Sequence, residues 1–130
     1  MPDLNVLAVL AATLAAFVLG GAYYAVLGGQ LALASEAAAA GGEMPPWKLA
    51  VELLRCLILA TVVAGLASQG EIDEWTGGLL LGLALWIGFP VVLWTGAMLH
   101  ENTPGKLAMI HGGDWLLKLL VVAVIVTAWQ

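Results

Sequence analysis

Charge is scarce in this chain, and basic charge is scarcer still. Of 130 residues only 10% are charged, with four Lys or Arg against nine Asp or Glu, for a formal net charge of −5. A nucleic-acid binder presents a basic surface, so that class is excluded. Four bases are also too few for a polybasic lipid-binding patch. There is one cysteine, Cys56, which excludes an internal disulfide and a multi-cysteine metal site and leaves the redox compartment open. The opening residues MPDLN hold an acid and no base, so the basic n-region of a signal peptide is missing. The apolar run behind them is too long for an h-region and reads as a retained transmembrane helix. No nucleophile motif, phosphate loop or zinc signature occurs, so neither catalysis nor a bound cofactor is expected.

What the chain has in excess is apolar surface. Hydrophobic residues make up 62% of it, and the mean hydropathy is +1.01. Soluble domains are roughly 45–50% apolar and about 25% charged, so composition places this chain in lipid. Four long apolar runs stand out, at about 4–27, 47–67, 75–99 and 107–129, the first without a charge. Each is long enough for a helix to cross the hydrocarbon core, which takes about 20 residues. Backbone groups in lipid must bond internally, which leaves helices or a closed barrel. Barrel strands alternate polar and apolar residues, and these runs do not. The expectation is therefore an all-α membrane protein, residues 1–130 forming one integral membrane domain built as a four-transmembrane-helix bundle.

The connections fit that reading. Gly28 to Pro46 is bounded by glycines and prolines, and its alanine-rich middle allows a short interfacial helix or a plain loop. SQGEIDE (68–74) and HENTPG (100–105) are short turns, with His100, Glu101 and Asn102 solvated. Pro104 can precede or open the last helix, and Pro90 should kink the third. Lys48 and Lys106 flank loops on one side, whereas the other side holds Asp3, Glu71, Asp73 and Glu74. The positive-inside rule makes the lysine side cytoplasmic and puts both termini outside an inner (plasma) membrane. Trp47, Trp75 and Trp129 suit interfacial anchoring. PWKLA at 46–50 and PGKLA at 104–108 each open an even-numbered helix. Two duplicated hairpins would produce this echo, and so would two unrelated starts sharing membrane-entry residues.

Lipid gives helices no hydrophobic reason to associate, so close packing through small residues must do it. Residues four apart share a helix face. Ala8, Ala12, Ala16 and Gly20 form such a stripe in the first helix, Cys56, Ala60, Ala64 and Ser68 in the second, and Gly78 and Gly82 in the third. These suit contacts inside the bundle, with a homo-oligomer interface as the competing reading.

Against this apolar background, IHGGDWLLKLL (110–120) carries His111, Asp114 and Lys118. At about 100° per residue the three fall within a sector of about 60°, and Lys48, Glu52 and Arg55 cluster likewise on the second helix. Charges at such depth cost about 2.5–3.5 kcal/mol each, so they should face the bundle interior. Counting about 1.5 Å per residue from Lys48 puts Glu52 roughly 6 Å and Arg55 roughly 10 Å deep. From Lys106, His111 is roughly 8 Å, Asp114 roughly 12 Å and Lys118 roughly 18 Å deep. Matching levels predicts an Arg55–Asp114 ion pair with Glu52–His111 beside it, and Lys118 bonding Asp114 from one turn away. Glu52, Arg55, Asp114 and Lys118 sum to zero, as a buried network requires. The network reads either as a clasp fixing helix register or as a polar pathway or pocket. The pathway would be proton-linked through His111, an imidazole of ordinary pKa about 6.5. His111, Asp114 and Glu52 do not complete a metal ligand set, so no metal is expected. Trp86, Trp94 and Trp115 are assigned to packing, and Tyr23 and Tyr24 to the inner interface, with a hydroxyl reaching the cluster as the lesser alternative.

LAAFVLGGAYY in the first helix, TGGLLLGLALWIGFP in the third and KLAMIHGGDWLLKLLVVAVIVTAW in the fourth resemble the small bacterial membrane proteins catalogued as domain of unknown function 1761. The resemblance covers most of the chain outside Gln30 to Met44. Members often have Trp before the tyrosine of the first-helix motif, where this chain has Tyr23. It implies a four-helix bacterial membrane protein and no particular activity. Two function classes stay open: small-solute or proton-linked transport or channel activity, and a structural or accessory subunit of a membrane complex. The expected partners are the lipid bilayer and a second copy or complex subunit.

Overall fold

The computed structural model describes residues 4–34 and 45–129. Four helices long and apolar enough to cross a membrane account for nearly all of them. Helix α1 is Val6–Ala34, α2 is Pro46–Gln69 and α4 is Gly105–Ala128. Helix α3 runs Trp75–Glu101 as an α-helix to Trp86, one π turn over Ile87–Val91, and an α-helix from Val92.

The ends follow from local chemistry. α1 continues seven residues past the expected Leu27, because Gly28 and Gly29 keep their N–H groups and a helical glycine costs only about 1 kcal/mol. The rest of the expected loop, residues 35–44, lies outside the described residues. α2 opens on Pro46, whose missing N–H is one the first turn leaves unused. It closes where the Gly70 N–H bonds back to the Leu66 carbonyl and the Glu71 N–H to that of Ser68. Pro104 caps α4 from outside rather than opening it. α3 stops at Asn102, held at φ 54°, a left-handed conformation that asparagine tolerates better than most residues. The kink expected at Pro90 takes the form of the π turn, which absorbs the N–H that proline lacks.

α4 is the central helix. α1 and α2 pack on it and on each other, α3 packs along its far side, and α2 and α3 barely touch. The two hairpins are therefore not packed as a symmetric pair, since α1 lies along α4 while α3 stands off α2. Asn5 Nδ2 donates to the Trp129 carbonyl at 3.0 Å at one end, and Lys106 donates to Gln30 Oε1 at the other. α1 and α4 thus run antiparallel in close register.

Packing is small inside and large outside. Ala12, Ala16, Ala60, Ala67 and Ala123 are fully buried with Val63 and Val122, while Leu7, Val18, Leu80, Phe89 and Leu93 face outward. A protein in water would bury the larger side chains; one in lipid gains most by bringing backbones close. Gly78 and Gly82 show how close. A Cβ at Gly78 would stand 2.8 Å from the Ala123 carbonyl oxygen, and one at Gly82 would stand 2.9 Å from that of Leu119. The GxxxG of α3 therefore packs against α4 of the same chain.

Candidate functional site

The half of the bundle nearer Lys48 and Lys106 holds a network built from all four helices. Its centre is Lys118, whose ammonium lies 3.0 Å from Asp114 Oδ2 one turn back and 3.4 Å from Glu52 Oε1 on α2. Side-chain exposure is 7% for Lys118 and 5% for Asp114, so both charges are buried. Glu52 bridges outward to Arg55 Nη1 at 2.6 Å. On α1, the Tyr24 hydroxyl lies 2.6 Å from His111 Nδ1 and donates to Asp114 Oδ2 at 3.5 Å. The His111 ring stacks on Trp94 of α3 with centroids 5.0 Å apart and planes 10° from parallel.

Two further bonds tie aromatic side chains to the α4 backbone. Tyr23 donates to the Ile110 carbonyl at 2.5 Å, and the Trp86 indole N–H donates to that of Gly112 at 2.8 Å. The glycine pair before Asp114 divides its work accordingly. A Cβ at Gly113 would come within 2.5 Å of the Tyr23 hydroxyl, whereas one at Gly112 would meet nothing. Replacing Tyr23 with Phe should cost about 0.5–1.5 kcal/mol, the usual worth of one such hydrogen bond. A thermal unfolding series in one fixed detergent would check this.

The expected pairing needs correction. Arg55 and Asp114 form no pair; the Arg55 side chain is 57% exposed and bonds Glu52 on its own helix. Glu52 and His111 form no pair either, because Lys118 takes the carboxylate and Tyr24 the imidazole. Cα levels alone do not fix where a long side chain ends. Long side chains on a helix lean toward its N-terminus, so Lys118 delivers its ammonium about a turn above its own Cα, at the height of Asp114 and Glu52. The Lys118–Asp114 contact itself has the one-turn spacing read from the sequence. Tyr24 and Trp94, expected at the interface and in packing, are both in the network.

Two buried polar atoms of the network have no hydrogen-bond partner among the described residues, Trp94 Nε1 and Asp114 Oδ1. Asp114 Oδ1 lies on the side of Gly20, whose Cβ would stand 3.7 Å from it and 2.8 Å from Lys118 Cε. Among the described residues, no group of three or more His, Cys, Asp or Glu side chains is placed to hold a metal ion.

The sequence model of the family described as Protein of unknown function (DUF1761) matches residues 7–127. The chain belongs to the DUF1761 family. The match runs from the first turn of α1 to the last turn of α4, so it takes in every member of the network. No curated protein and no solved structure matches this DUF1761 chain.

Proposed function

We propose that the chain is a non-catalytic structural or accessory membrane subunit, and that its ionic network locks the four helices in register. The observation that carries this reading is where the polar contacts stop. They run from Arg55 through Glu52, Lys118, Asp114 and Tyr24 to His111 and begin and end in the same half of the bundle. Beyond Lys118 the core is alanine, valine and Leu119, and the buried hydroxyls of Thr13 and Thr127 are bonded to carbonyls of their own helices. A conduit needs polar groups or water to the far face; a clasp needs compensated charge, and four ions summing to zero supply it.

Small-solute or proton-linked transport is the second reading, and Asp114 Oδ1 is the observation that favours it. A buried carboxylate oxygen without a partner can accept a proton or a hydrogen-bonding solute, and transporter sites lie near the midplane. One experiment separates the two. Purified protein is reconstituted in vesicles loaded with a pH-sensitive dye, and a proton gradient is imposed. The clasp reading expects decay no faster than in protein-free vesicles. Accelerated decay that Asp114→Asn abolishes would overturn it in favour of transport. Three of the chain's four bases, Lys48, Arg55 and Lys106, lie in the half that begins α2 and α4. This supports an inner-membrane orientation with that half toward the cytoplasm, which a reporter fused to either terminus would test.

A further inference from the structure

We propose that the cleft between α2 and α3 is a binding site for one anionic phospholipid, with an acyl chain in the cleft and the phosphate on Arg55. Because α2 and α3 stand apart over α4, they leave a groove of about 650 Å³ walled by Leu59, Val62, Leu66, Phe89, Leu93 and Trp115. That volume falls within the roughly 300–1,000 Å³ range of ligand sites.

The charge pattern of α2 selects the occupant. Leu59, Val62 and Leu66 continue toward the membrane face as Arg55, Glu52 and Lys48. At about 100° per residue all six fall within a sector of about 80° on one helix face. This strip grades from wholly apolar at mid-membrane to charged at the surface. One lipid in one leaflet has that gradient; α1 or α3 of a second copy, uncharged through its mid-length, does not. The sign is set by the bases. Lys48, Arg55 and Lys118 outnumber Glu52 and Asp114 by one along α2 and the inner face of α4. Arg55 is the member of that set that stays 57% exposed, and it reaches back toward Glu52, one turn nearer the headgroups. A single guanidinium one turn before Leu59, the first α2 residue of the groove, makes a one-lipid site, distinct from a polybasic surface.

The site does not depend on whether the network acts as a clasp or a transport centre. The test uses the full chain in neutral detergent, titrated with phosphatidylglycerol or phosphatidylcholine of the same acyl chains and read by native mass spectrometry. One phosphatidylglycerol per chain is expected, bound about fivefold more tightly than phosphatidylcholine, the preference one base confers near a membrane surface. Arg55→Gln should erase the preference and keep the residual binding. Gly88 lines the groove and has open space where a Cβ would go. Gly88→Phe should therefore fill the groove and remove both lipids with the helical circular dichroism unchanged. Val62→Trp serves the same purpose should Gly88→Phe fail to fold. Equal binding of the two lipids, an undiminished preference in Arg55→Gln, or full binding by a folded groove-filling variant would each overturn the proposal. So would a dimer mass that phosphatidylglycerol fails to dissociate, which would assign the groove to a second copy.

Discussion

Replacing Lys118 with Met is expected to destabilise the bundle by about 3–5 kcal/mol, the usual cost of removing one partner from a buried ion pair. Asp114 would be left as a carboxylate with Oδ1 unbonded and only the Tyr24 hydroxyl, at 3.5 Å, on Oδ2. Asp114→Leu should also be costly, but less so, because Lys118 retains Glu52 at 3.4 Å. The two changes together remove one charge of each sign and leave Glu52 with Arg55 at 2.6 Å. Most of the lost stability should return, since well-packed apolar replacements of a buried pair are often neutral or better. The double-mutant cycle is read from unfolding of the four proteins under one set of bilayer-mimetic conditions. Additive losses, with no recovery in the double variant, would mean the two ions do not compensate each other and would remove the physical basis of the clasp.

Gly82→Leu is the second large effect expected. The atoms nearest an added Cβ are the Leu119 carbonyl at 2.9 and 3.2 Å and the Leu120 Cα at 3.2 Å, all backbone. Backbone cannot rotate aside, so α3 must move off α4, at a cost of about 1–3 kcal/mol or more. The shift should also pull Trp86 from the Gly112 carbonyl and Trp94 from His111. Gly21→Leu is the control, because a Cβ there meets nothing within 4 Å. A lowered Tm with altered tryptophan fluorescence in Gly82→Leu, and neither in Gly21→Leu, is the expected outcome. Equal Tm values would contradict the close approach of the two helices.

The four spans, their turns and the interruption at Pro90 were legible in the sequence because lipid imposes length and hydropathy on any crossing segment. Much of the network is legible too, in the continuation of the small-residue stripes. The stripe Ala8, Ala12, Ala16, Gly20 reaches Tyr24 at its next step, and Gly78, Gly82 reaches Trp86. On α2, stepping back from Ala64 through Ala60 and Cys56 arrives at Glu52. Each end point is a network residue or bonds the α4 backbone. Arg55 is off its stripe, which is why it faces outward while Glu52 faces in. Which cation meets which carboxylate was not legible. It depends on how far a lysine stem leans along its helix, a distance of about one turn that counting Cα rise leaves out. The distance between α2 and α3 was hidden as well, since nothing in either run specifies that they share α4 without sharing a seam.

The π turn at Ile87–Val91 has a consequence for the two halves of α3. In an unbroken α-helix, Trp94 would be rotated about 160° from Gly78, facing away from α4. The extra residue in a π turn holds the phase back by about 100°, which returns Trp94 to the side where it meets His111. Deleting any one residue of that turn would restore regular winding and set the two ends of the span at odds, with one end able to address its neighbour only by releasing the other.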